Sequence, residues 1–139
     1  MRIILKILSS FGIGLLPFPG VWATLLGLGI CYFFDFSVFN KFLLFTSIFI
    51  FGCILAPKTE KMFKVKDPHF FIIDEICGSI ISVILIPHQP LFFILAFIIF
   101  RFLDNLKPFP LNHLGIMSDD LVAGLTTFFL IYPLSFLYV

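Results

Sequence analysis

Four stretches without a charged residue, Ile7–Phe34, Phe42–Pro57, Ile76–Phe100 and Leu121–Val139, take up most of this chain and limit what it can fold into. A helix needs about 20 mostly apolar residues to cross a bilayer. The first and third stretches are too long for one helix, and prolines break them at Pro17-Phe18-Pro19-Gly20 and Pro87-His88-Gln89-Pro90. Apolar periodicity and these breaks predict five helices, near Trp22–Phe39, Phe42–Ala56, Phe71–Ile86, Leu91–Leu106 and Asp120–Leu137. A short amphipathic segment from Arg2 to about Leu16 precedes them and is expected at the membrane interface. Further reversals are expected at Ser37–Lys41 and in a Pro57–His69 loop. The expected fold is therefore all-α, a polytopic membrane helical bundle, with residues 1–139 forming one domain. A hydrophobic content of 60%, with 22 Phe and a mean hydropathy of +1.15, favours this over a soluble helical domain with an apolar core.

The charges give the bundle a direction. Placed on alternating sides of the predicted helices, Arg2, Lys6, Lys58, Lys61, Lys64, Lys66, Arg101 and Lys107 fall together, eight of the nine basic residues, leaving Lys41 opposite. Excess Lys and Arg mark cytoplasmic loops, so this side is expected to face the cytoplasm. The same partition gathers seven of the eight acids there and leaves Asp35 alone on the other side. A net charge of +1 without a dense basic patch argues against a nucleic-acid partner. Cys31, Cys53 and Cys77 lie inside apolar runs with neither disulfide nor metal spacing, and read as small buried hydrophobes. The N-terminus loosely imitates a cleavable leader, but Pro17, Pro19 and Gly20 interrupt its apolar run and argue against cleavage.

Carboxylates at the ends of apolar segments are costly and are functional candidates. Here they are Asp74 and Glu75, Asp104, and Asp119 and Asp120. Carboxylates converging at low dielectric require a shared cation, and an oxygen-only donor set suits Mg2+ better than zinc. Asp74, Glu75, Asp119 and Asp120 are the candidate metal ligands. Arg101, Asp104 and Lys107 recur at helical spacing on one face, and the two cations suit a phosphate. Gly78 and Gly124 each follow an acid by four residues and permit close helix approach. Each group also has a plainer reading. Asp119 and Asp120 suit a helix start, Arg101 and Lys107 suit interfacial anchoring, and Lys58–Lys66 suits a solvated loop attracted to anionic lipid. His69, His88 and His113 lack ligand spacing and read as loop or surface residues.

Read together, these pieces resemble the phosphatidylglycerophosphatase A family over essentially the whole chain. The matching pieces are Pro19-Gly20, Asp67-Pro68 before Asp74-Glu75-Ile76-Cys77-Gly78, Arg101-Phe102-Leu103-Asp104 with Lys107-Pro108 and Pro110, and Gly115-Ile116-Met117-Ser118-Asp119-Asp120 with Ala123-Gly124. The first motif departs from the family pattern: Val21 stands where a hydroxyl is usual and Ala23 where a glycine is, leaving Thr24 as the nearby hydroxyl. The resemblance implies a Mg2+-dependent lipid phosphatase of the bacterial inner membrane that converts phosphatidylglycerophosphate to phosphatidylglycerol and phosphate. Asp74, Glu75, Asp104, Asp119 and Asp120 would be catalytic, and Arg101, Lys107 and Thr24 would bind the phosphate. The expected partners are the phospholipid substrate and the bilayer, and the oligomeric state is open. No Ser–His or Cys–His pairing supports a covalent intermediate. The alternatives are a phosphatase for another membrane phospholipid and a non-enzymatic cation carrier. A carrier would place acids at several depths of the membrane.

Overall fold

The computed structural model describes residues 1–10, 12, 16–34, 37–64, 71–106 and 116–138. Six α-helices make up the described chain: α1 (Arg2–Ser10), α2 (Pro19–Phe33), α3 (Val38–Phe63), α4 (Ile73–Ser82), α5 (Pro90–Leu106) and α6 (Ile116–Tyr138). The expected all-α class is found. A helix occupies each of the five predicted apolar positions, and the amphipathic start forms α1. Among the described residues two helices, not five, have the length and apolar composition to cross a membrane: Val38–Phe63 and Asp119–Leu137.

The boundaries differ from expectation for local reasons. Pro19 occupies the first turn of α2, where its missing N–H is no loss, so the helix starts before Trp22. The Ser37 hydroxyl accepts from the Asn40 amide at 3.3 Å and caps α3, turning an expected reversal into a helix start. α3 then runs through Pro57 to Phe63, into the segment expected to be a loop. A proline removes a single N–H from the ladder, and the Thr59 hydroxyl bonds back to the Leu55 carbonyl at 2.8 Å across the same turn. α4 stops at Ser82, short of Ile86. The Ser79 and Ser82 hydroxyls bond to carbonyls three residues back, and the Val83 amide tightens onto Ile80. Pro87 and Pro90 then reverse the chain as expected, with the Gln89 amide on the Pro87 carbonyl.

α4 is the hub, packed against α2, α3, α5 and α6. Its Ile76 and Ile80, with Ile72 just before it, join Ala23, Leu28, Phe92, Ala96 and Ile131 in the main core. On its other flank Ile73 and Cys77 pack with Leu5, Leu55 and Ala56, which docks α1 on α3. Glycines set the approach between helices. A Cβ on Gly78 would stand 2.6 Å from both the Asp120 carbonyl and the Phe100 ring. One on Gly124 would strike the Gly78 carbonyl and stand 2.5 Å from Ile81. The close approach expected of this pair is thus the α4–α6 crossing.

Lys41, the one cation assigned to the opposite side, is buried. Its ammonium donates to the Val83 carbonyl at 3.4 Å and lies 6.0 Å from the Phe93 ring centroid. A cation there complements the carbonyl end of α4. His88 sits at the same end, its ring against Tyr32 and its Nε2 on the Tyr32 carbonyl.

Candidate functional site

The acid cluster lies at the end of the bundle away from Lys41, where α4 and α6 begin and α5 ends. Asp74 and Glu75 stand in the first turn of α4 and Asp119 in the first turn of α6, positions that favour negative charge next to unsatisfied amides. The Gly78–Gly124 crossing lies one turn along from Asp74 and Asp120, and so draws these two helix starts together.

Glu75, Asp104 and Asp120, one from each of α4, α5 and α6, offer carboxylate oxygens within 4.8 Å of one another. This group could hold a metal ion. Asp104 and Asp120 are buried, while the Glu75 side chain keeps 19% of its exposure. Arg101, one turn before Asp104, donates to its Oδ2 at 2.9 Å and lies 3.8 Å from Glu75 Oε1. Asp74 is also buried. It accepts from the Glu75 amide at 2.9 Å and lies beside Asp120. Asp119 is half-buried one residue before Asp120.

The candidate ligands are therefore regrouped. Of the acids expected at the site, Glu75, Asp104 and Asp120 come together, and Asp74 and Asp119 stand outside that group of three. Lys107 lies outside the described residues, as do Asp67, Pro68, Pro108, Pro110 and Gly115. Thr24 is fully buried and donates its hydroxyl to the Gly20 carbonyl at 2.8 Å, so its proton goes to its own helix.

Gly20 is the part of the site whose role was not evident from the sequence. A Cβ there would stand 2.7 Å from Arg101 Nη1 and 2.8 Å from Glu75 Oε1, so the start of α2 forms a wall of the cluster. Phe18, left-handed at φ 54°, and Pro19 bring the chain into that wall. The signal was the Pro19-Gly20 pair interrupting an apolar run: a glycine placed where a helix starts marks close approach.

Negative charges this close repel one another, and Arg101 offsets only part of that charge. The donor set is all carboxylate oxygen, which suits a hard cation. With Arg101 bridging two of the acids, the arrangement suits a phosphate brought to a cation between α2, α4, α5 and α6.

Residues 6–135 match the family model for phosphatidylglycerophosphatase A. The chain is 37% identical over 140 residues to the Haemophilus influenzae phosphatidylglycerophosphatase A, covering 91% of this chain and 85% of that protein. It is 32% identical over 134 residues to the Escherichia coli phosphatidylglycerophosphatase A, covering 88% of this chain and 78% of that protein. A Bacteroides thetaiotaomicron protein named provisionally as a phosphatidylinositol-3-phosphatase is 30% identical over 139 residues, covering 88% and 87%. No solved structure matches the chain. Motifs, acid cluster and relatives agree, and the chain belongs to the phosphatidylglycerophosphatase A family.

Proposed function

We propose that this chain, acting as one domain, hydrolyses phosphatidylglycerophosphate to phosphatidylglycerol and phosphate in bacterial phospholipid synthesis, with Mg2+ as cofactor. The observation that carries this reading is the convergence of Glu75, Asp104 and Asp120 with Arg101 at one end of the bundle. The names of the two relatives above support the substrate.

Glu75, Asp104 and Asp120 would hold Mg2+, which when bound supplies Lewis-acid charge stabilisation at the phosphoryl group. Arg101 binds a phosphoryl oxygen through its guanidinium fork and offsets charge that builds up in the transition state. The start of α2 lies against Arg101, and its positive end favours the same anion. Lys107, outside the described residues, would supply the second cation that the family resemblance implies. Asp74 positions Asp120 and the first turn of α4. Asp119 places negative charge at the start of α6, and Thr24 steadies the turn that carries Gly20. Water attacks phosphorus in line as the ester P–O bond breaks; a carboxylate of the cluster takes one water proton and passes it to the departing glycerol oxygen, leaving phosphatidylglycerol and phosphate.

A membrane location is supported by what the helices leave outside. Only 17% of the apolar window of α3 is buried, whereas the core helix of a soluble protein is mostly buried. Phe42, Leu43, Ile50 and Ile54 of α3 and Phe129 and Phe136 of α6 are all exposed. Such large apolar surface suits lipid rather than water. The fold is then a multi-pass bundle of the bacterial inner membrane, with substrate acyl chains in the bilayer and the acid cluster on the cytoplasmic side, a reading that the Lys and Arg distribution supports. A thiol in Lys61→Cys is expected to label only from the cytoplasm; labelling from outside would invert the topology.

Phosphate release from phosphatidylglycerophosphate in detergent, with Mg2+ or with a chelator, tests the activity. Release should require Mg2+ and fall to background in Asp104→Asn and Asp120→Asn. Full release by both folded variants would remove these acids from the mechanism. The Bacteroides relative favours a second reading, a phosphatase for another phospholipid monoester. Faster release from phosphatidylinositol 3-phosphate in the same assay would select it.

A further inference from the structure

A groove of about 670 Å³ runs between α1 and α3, lined by Met1, Ile4, Leu5, Leu55, Lys58, Lys61 and Met62. It shares no residue with the acid cluster. Five of its lining residues are apolar, two are lysines and none is an acid. Lys58 and Lys61 are exposed and three residues apart, so they share one face of α3.

We propose that this groove binds one anionic phospholipid as a site separate from the catalytic one, its phosphate on Lys58 and Lys61 and an acyl chain along Ile4, Leu5 and Leu55. The inference rests on the membrane location proposed above. Two observations select this occupant. Apolar walls with cations at one edge fit an amphiphile with a negative head; inorganic phosphate would leave the walls unused, and a neutral lipid would leave the lysines unused. Depth agrees with chemistry as well. Lys58 and Lys61 follow the apolar part of α3 directly, where headgroups lie, and Leu55 is one turn deeper, where acyl chains lie. α1 supplies the facing apolar wall through Met1 and exposed Ile4, while Leu5 anchors it to α3. The general attraction of basic residues to an anionic leaflet thereby becomes a shaped site.

The test places a fluorophore in the groove. Trp22 is the single tryptophan, so Ile4→Trp in a Trp22→Phe background reports from the groove alone. Each protein is reconstituted in phosphatidylcholine nanodiscs, with spin-labelled phosphatidylglycerol or spin-labelled phosphatidylcholine as quencher. Two lysines near the headgroup should favour the anionic lipid roughly tenfold, giving markedly stronger quenching by phosphatidylglycerol. Lys58→Gln with Lys61→Gln should erase that difference while phosphate release in detergent stays at its original level. Equal quenching by the two lipids, or selectivity that survives removal of both lysines, would overturn the site. Headgroup selectivity in a chain that releases no phosphate would sink the phosphatase reading and leave the groove standing. Release without selectivity would do the reverse.

Discussion

Arg101 joins the two halves of the site, since its guanidinium reaches both Asp104 and Glu75 while its side chain keeps 17% of its exposure. Lysine at this position would keep the charge and lose the fork that spans two oxygens. Arg101→Lys is therefore expected to lower the rate of phosphate release roughly a hundredfold, with an unchanged circular dichroism spectrum. A variant keeping most of its activity would reduce Arg101 to an ion-pair partner of Asp104. The pairing of Arg101 with Asp104 was legible in the sequence because residues three apart share a helix face. Which member of Asp74-Glu75 and of Asp119-Asp120 enters the group of three was not. Adjacent residues on a helix diverge by about 100°, so the choice depends on how each helix is rotated. For α4, the packing of Ile73 and Cys77 against Leu55 and Ala56 decides that rotation. No pattern within one segment encodes it. Gly20 was hidden for a related reason: its neighbours Arg101 and Glu75 come from distant parts of the chain.

At the scale of elements, the α4–α6 crossing links fold to site. Gly124 faces the backbone of Gly78, and Gly78 faces the Asp120 carbonyl, so any added carbon pushes apart the two helix starts that carry Glu75 and Asp120. Gly124→Ala is expected to cost about 1–3 kcal/mol through overpacking. It should appear as a lower unfolding temperature in detergent, together with weaker phosphate release. Alanine tolerated without either change would mean that the helices can part at no cost to the site. Helix positions were legible from the apolar runs and proline breaks, and the pairing of Gly78 with Gly124 from their equal distance to an acid. Helix ends were less so. A proline after an apolar run reads as a stop, yet α3 passes Pro57, with Thr59 and Met62 beyond it packed into the bundle. α4 ends early because serines bonding back to their own carbonyls tighten its last turn, an effect that apolar periodicity does not register.

In the whole molecule the acid cluster is a junction of α4, α5 and α6, and a cation held by Glu75, Asp104 and Asp120 would tie these helices together only when folded. Binding restricted to the folded chain raises stability with ligand concentration, by about 2.7 kcal/mol at a hundredfold excess over Kd. Mg2+ is therefore expected to raise the unfolding temperature in detergent in a dose-dependent way, and a chelator to reverse it. The same cluster makes a second demand of opposite sign. Without a cation the three carboxylates repel, so Asp120→Asn should leave the metal-free protein at least as stable as the original, and the response to Mg2+ should vanish. A merely structural ion pair with Arg101 would behave differently, because losing an acid would then lower the unfolding temperature whether or not Mg2+ is present. Thermal unfolding of the original chain and of Asp120→Asn, each with Mg2+ and with chelator, separates the two cases without reference to activity. An equal Mg2+ response in both proteins would remove the cation from this junction.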